Sequence, residues 1–201
     1  MKKALEHLQS GDPVLAELIR GIGPCRIRYS EPVFRSLARS IVFQQLNGKA
    51  AGTIFDRFER ACGAAGVTAE AVARLRPARM RAAGLSSRKS EYLKDLARHT
   101  IQGSLRFEEL VHLPDEAVVA ELTRVKGVGV WTAHMFLIFA LRRPDVLPTG
   151  DYGIRAAMRK VYSLPEMPKP ALMEEIARPW RPWTSVACWY LWRSLDGQAG
   201  M

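Results

Sequence analysis

Residues 121–162 read ELTRVKGVGVWTAHMFLIFALRRPDVLPTGDYGIRAAMRKVY, and they decide the fold. Two apolar segments at helical spacing flank Lys126-Gly127-Val128-Gly129, where paired glycines permit the positive φ and close backbone approach of a tight hairpin. The predicted pattern is helix, hairpin, helix, over about 115–141. The second helix ends in Arg142-Arg143-Pro144. Leu147-Pro148-Thr149-Gly150 then leads to a lone carboxylate, Asp151, where a further helix begins.

Glycines leave the peptide N–H groups of the turn unshielded, and the helix starting near Val130 adds its own unpaired N–H groups and positive dipole end. Such a surface suits a phosphate oxygen and would position a nucleic-acid duplex without reading its bases. A plain helix–helix connection fits the same spacing. Asp151 likewise has two compatible readings: an N-cap for YGIRAAMRKVY, or a carboxylate held in a fixed direction for chemistry.

Working outward, Pro114-Asp115-Glu116 opens the helix before the hairpin. Upstream, Ser86 or Ser87 starts a helix with Tyr92, Leu93, Leu96 and Ala97 on its apolar side, in a basic stretch whose charges mostly read as a solvated face. Helices are also expected from Thr68 to about Leu75 and from Lys49 to Ala61. Ser30-Glu31-Pro32 starts another, with Phe34, Leu37, Ala38, Ile41, Val42 and Gln45 near one stripe. Asp12 caps and Pro13 opens a helix that stops at Gly21 or Gly23, after a short polar lead. No run alternates at period two, so the chain is predicted to be all-α, with about ten helices.

Composition bounds the partner. Thirty Lys plus Arg against twenty Asp plus Glu give a net charge of +10 in 201 residues, which points to a polyanion. Cys25, Cys62 and Cys188 are odd in number and far apart, which argues against a disulfide framework and for a reducing compartment. MKKALEHLQSGDPVL has no apolar run of signal-peptide length, and no window approaches a membrane span. The expected location is the bacterial cytoplasm, with the nucleoid, or the nucleus of a eukaryote.

VKGVGVWTA (125–133), DVLPTGDYGI (145–154) and WRPWTSVACWYLW (180–192), preceded by ARSIVFQQLNGKAAGTIFDRF (38–58) and AAGLSSRKSEYLKDLA (82–97), together resemble the helix–hairpin–helix DNA glycosylase superfamily. Within it they are most similar to the 3-methyladenine DNA glycosylase II, or alkylbase glycosylase, family. The resemblance runs over roughly residues 30–196. It implies two helical lobes around a cleft: 34–147 as one, 1–33 with 148–201 as the other, and Asp151 at the lip. The known bacterial type also carries an N-terminal β-containing domain, for which this chain starts too late.

The resemblance implies that Asp151 is the catalytic carboxylate of a monofunctional enzyme. This enzyme flips an N-alkylated base, of the 3-methyladenine or 7-methylguanine type, from duplex DNA and hydrolyses its glycosidic bond in base excision repair. Gln44, Gln45 and Leu46 match the plug that fills the gap, with Gln45 favoured. Trp131, Met135, Tyr152 and Trp183 match the base pocket, where aromatic faces attract a cationic base. Trp180, Trp189 and Trp192 read as core. Lys126, Gly127, Val128, Gly129, Arg88 and Lys89 are the backbone contacts. The carbonyls of Val125 to Gly129 are a candidate monovalent-cation site, and no other metal or cofactor is implied.

Lyase members of the superfamily carry a lysine where this chain has Trp131, and an indole cannot attack C1′. Others hold a four-cysteine iron–sulfur cluster, which three cysteines cannot build. The expected partner is damaged duplex DNA, bound by a monomer. The alternatives are a non-catalytic helix–hairpin–helix binding module and a glycosylase for oxidised or deaminated bases.

Overall fold

The computed structural model describes residues 1–46 and 48–196, so Asn47, beside the expected plug, lies outside the described residues. Among those described are thirteen α-helices and one 3-10 turn, with no strand, so the all-α expectation holds. The helices beyond expectation include α1 (Lys2–Gly11), which replaces the polar lead, and two short ones, α6 (Pro77–Ala82) and α8 (Phe107–Leu110). Ala4 and Leu8, one turn apart, bury the apolar face of α1, a signal that the surrounding charges obscure.

The chain forms two compact units, Ser30–Leu141 as one, and Met1–Tyr29 with the chain from Arg142 onward as the other. These boundaries precede the expected 33/34 and 147/148. The physical reason lies in two local ties. Ser30 N–H donates to Phe139 O at 2.8 Å, which holds the chain before the first helix of its unit. Val146 N–H donates to Ser185 Oγ at 3.1 Å and Ser185 N–H to Pro144 O at 2.9 Å, which joins 144–146 to the later unit.

The Ser30–Leu141 unit holds α3 (Phe34–Phe43), α4 (Gly48–Cys62), α5 (Ala69–Arg74), α6, α7 (Ser87–Ile101), α8, α9 (Asp115–Thr123) and α10 (Val130–Phe139). Helix α7 packs against α3, α5 and α6, and α10 against α9 and α3. Leu37, Ile41, Phe58, Leu93, Leu96 and Leu122 are wholly buried. Thr68 caps α5 and Ser86 caps α7, the start signals legible in the sequence. Pro32 does not start α3, which begins at Phe34 with Val33 at its cap position.

The other unit holds α1, α2 (Pro13–Ile22), α11 (Tyr152–Val161), α12 (Pro170–Ala177), the 3-10 turn Arg178–Trp180 and α13 (Thr184–Asp196). Its core joins Leu8, Leu15, Ile154, Met158, Trp180 and Tyr190. Asp12 caps α2 through Val14 N–H and Leu15 N–H. The same buried carboxylate accepts from Tyr162 OH at 2.6 Å and Trp180 Nε1 at 2.8 Å. Burial, then the Asp12 bond and charge, push the Tyr162 phenol far above its ordinary pKa.

Candidate nucleic-acid interface and carboxylate site

Helix α9 gives way at Arg124 and α10 starts after Gly129, so the hairpin is the expected one. Buried Val125 and Val128 anchor it, and Val128 N–H donates to Val125 O at 3.0 Å. Lys126 N–H donates to Asp95 Oδ2 at 2.9 Å. Two of the turn's amides are therefore spent inside the protein, contrary to the expectation of a wholly open turn. Val128 contributes as an anchor. The amides of Gly127, Gly129 and Val130 donate to no described residue, and they keep the anion-binding character of a helix start.

Helix α7 supports the hairpin from below. Gly127 has φ 76, and a Cβ there would lie 2.1 Å from the Tyr92 ring. No residue but glycine fits over that ring. Asp95 sits one turn after Glu91 and is buried. Burial pushes its carboxyl pKa up, but the Lys126 amide, Arg98 at 2.5 Å and His99 outweigh this and leave it below the ordinary value. Lys126 Nζ meets Glu91 at 2.8 Å in an exposed ion pair, the kind that a phosphate can displace. Sequence reading placed Tyr92 on the apolar side of α7 and missed Asp95 and Glu91.

The expected plug turn adjoins this assembly. Helix α3 ends at Phe43, because Gln44 takes ψ 132 and Gln45 takes φ 57. Gln45 therefore leaves the apolar stripe on which its spacing placed it, and it is exposed, as is Leu46. A left-handed glutamine costs about 1–2 kcal/mol, and such outliers persist where neighbours hold them. The Gln44 amide Nε2 donates to Gly127 O at 2.9 Å and lies 3.4 Å from Thr132 Oγ1. Lys89 Nζ donates to Val42 O at 2.7 Å and Gln44 O at 2.8 Å. A recess of about 370 Å³ is lined by Gln44, Gln45, Ser86, Arg88, Lys89, Tyr92 and Gly127. It collects candidates that are far apart in the chain.

The hairpin carbonyls named as a cation site already accept protein donors: Val125 O from Val128, Gly127 O from Gln44 and Gly129 O from Ala133. Trp131, on the first turn of α10, is 44% exposed, and half-buried Met135 follows one turn later on the same face.

Asp151 lies in the other unit, and its position is built from α13. Thr184 Oγ1 and Arg181 Nη1 hold Asp145, and the Ser185 bonds fix Val146 and Pro144. Asp151 N–H donates to Pro148 O at 2.9 Å, which closes the turn before α11. Asp151 is only 7% exposed. Its Oδ1 accepts from Ile154 N–H at 2.7 Å and from the Trp192 indole Nε1 at 3.0 Å. The N-cap reading is thus correct. Trp192 packs against the apolar cluster, as expected, and in addition gives its indole N–H to Asp151. Trp183 is half-buried and packs against the apolar cluster of its unit, as expected of Trp180 and Trp189. Tyr152 is 76% exposed at the start of α11.

Gly153 was also missed. A Cβ there would come within 3.1 Å of Asp151 Oδ1 and 3.2 Å of Trp192 Cδ1. Its bareness lets the indole reach the carboxylate. Burial, then the charge of Asp151, raise the pKa of the Cys188 thiol on α13, so that residue is inert packing.

A hairpin with open amides beside a strained exposed turn, and a fixed carboxylate following it in sequence, has known counterparts. Residues 38–182 match the HhH-GPD superfamily of base excision DNA repair proteins. The chain belongs to that superfamily. DNA-3-methyladenine glycosylase 1 of Schizosaccharomyces pombe is 35% identical over 199 residues, which cover 96% of this chain and 87% of the relative. The 3-methyladenine DNA glycosylase of that yeast, solved in complex with abasic DNA, superposes with a TM-score of 0.86 at 36% identity, covering 96% of this chain and 97% of that one. A DNA-3-methyladenine glycosidase from Bacillus halodurans gives the same TM-score and identity over 98% of this HhH-GPD chain and 90% of its own.

Among the described residues no group of three or more His, Cys, Asp or Glu side chains could hold a metal ion. No described helix is long and apolar enough to cross a membrane.

Proposed function

We propose that this chain is a monofunctional alkylbase DNA glycosylase of base excision repair. It acts as a monomer on duplex DNA in the compartment that holds the genome. The names of its relatives support the reaction class. The observation that carries the reading here is Asp151, a carboxylate whose Oδ1 is pinned by the Ile154 amide and the Trp192 indole.

The hairpin amides of Gly127, Gly129 and Val130 take a backbone phosphate, with Lys126 turning from Glu91 to the duplex and Arg88 beside it. Gln45 or Leu46, exposed on the turn after α3, fills the gap left by the rotated nucleotide. Trp131 and Met135, on one face of α10, offer π and thioether surface to an electron-poor base. Asp151 stabilises the positive charge that develops on the sugar and takes a proton from the attacking water. Water oxygen bonds to C1′ as the glycosidic bond breaks, and the base leaves with the bonding pair. A base alkylated at a ring nitrogen is cationic and leaves neutral, so it needs no general acid. Trp131 at the lyase position leaves an abasic site unbroken.

The helix-cap geometry of Asp151 also favours a second reading, a binding module in which the carboxylate is purely structural. Base release from duplexes that each carry one modified base, with Asp151→Asn in parallel, decides between them. Asparagine still caps α11, so the fold is kept. Release of methylated purines, with strand breaks only after alkali and none from the variant, supports the enzyme; release by the variant at the same rate sinks the mechanism.

A further inference from the structure

Helix α7 reaches two functional turns at once. Its first turn carries Lys89, whose ammonium donates to Val42 O and Gln44 O at the end of α3. Its next turns carry Glu91, Tyr92 and Asp95, which hold the hairpin at Lys126 and Gly127. Gln44 closes the triangle, since its side chain donates to Gly127 O from the residue just before the left-handed Gln45. Every one of these bonds is made inside the Ser30–Leu141 unit.

We propose that Lys89 and Gln44 are positioning residues that lock the strained turn at Gln45 to the phosphate-binding hairpin, so that gripping the backbone and filling the helix gap occur as one rigid movement. The inference rests on the glycosylase reading and changes two roles within it: Lys89 is not a phosphate contact and Gln44 is not the plug. The ammonium lies against the last carbonyls of α3, where a cation neutralises the negative helix end and satisfies orphan acceptors. Burial lowers its pKa, as suits a lysine turned inward to carbonyls. Between them, the Gln44 and Lys89 bonds leave Gln45 and Leu46 the only side chains of 44–46 projecting outward.

A residue that only orients the plug matters where a stacked base must be extruded and little where the base is already unstacked. A phosphate contact instead weakens all binding and contributes to its salt dependence. The test compares Lys89→Met, Lys89→Arg and Gln44→Met with the unaltered protein, using single-turnover release of one methylated purine. The substrates are a fully paired duplex and a duplex that carries the same base in a one-nucleotide bulge. Salt titration of binding to an unmodified duplex runs alongside.

Each methionine variant is expected to lose about ten-fold or more on the paired duplex, where the unstacking cost loses part of its offset, and less than about three-fold on the bulge. Lys89→Arg keeps most of the rate, because a guanidinium can also span two carbonyls. The salt slope stays as in the unaltered protein. Equal losses on both substrates would reduce the two residues to ordinary fold support and overturn the proposal. A slope lowered by about one in Lys89→Met would restore it as a phosphate contact. If the unaltered protein releases no base from either duplex, the glycosylase reading itself has failed, and this proposal with it.

Discussion

The two hairpin glycines separate folding from binding. Gly127 lies at φ 76 with Tyr92 beneath it, whereas Gly129 lies at φ −95, ψ 174 with nothing within 4 Å of an added Cβ. Alanine at 127 takes on the left-handed strain, about 1–2 kcal/mol, and must drive the Tyr92 ring from a 2.1 Å overlap, an overpacking cost of about 1–3 kcal/mol. The ring cannot yield cheaply, because the nearest atoms are Cδ2, Cε2 and Cγ, near its root. The expected loss is about 2–5 kcal/mol, read from urea midpoints at constant slope. Gly129→Ala should unfold where the parent does, and should weaken binding to damaged and undamaged duplexes alike, because it adds a methyl to the turn whose bare backbone is to meet the phosphate. In a Tyr92→Ala background the further cost of Gly127→Ala should shrink to the strain alone, about 1–2 kcal/mol. An unchanged midpoint for Gly127→Ala, or full additivity with Tyr92→Ala, would refute the packing account; a binding loss confined to one lesion by Gly129→Ala would refute the phosphate grip.

Removal of the indole donor by Trp192→Phe should slow base release about ten-fold with duplex affinity retained, since one charge-assisted bond to Asp151 is lost; unchanged rates would make that bond incidental. Gly153→Ala should do the same more mildly by wedging between the two side chains. Asp12→Ala leaves the part-buried Tyr162 hydroxyl and the buried Trp180 N–H without their acceptor and should cost about 3 kcal/mol in thermal or urea unfolding, with no effect on duplex affinity. The folded-state pKa of Asp95 is depressed below 3.8, so its support of the hairpin is complete above that pH and is lost as the pH falls through the folded value. Protection of the Lys126 amide from hydrogen exchange against pH reads this directly, and Asp95→Asn should abolish the acid dependence.

What the sequence by itself determined about this chain is local. Asp12, Thr68, Ser86 and Asp151 announce helix starts because a cap bonds to an amide two or three residues away, and Gly127 announces its hairpin because only glycine enters that φ cheaply. Periodicity settled the all-α class, and five motifs in order settled the family. The partners of those motifs needed the tertiary structure. Gln44 meets Gly127 across 83 residues, Lys89 meets Val42 across 47, and Trp192 meets Asp151 across 41. A side chain's type fixes only what it can donate or accept. Which acceptor it meets is set by how α7 crosses α3 and how α13 lies against α11, and that packing gave Gln44, Lys89 and Trp192 the bonds to Gly127, to the end of α3 and to Asp151 that their spacing could not show.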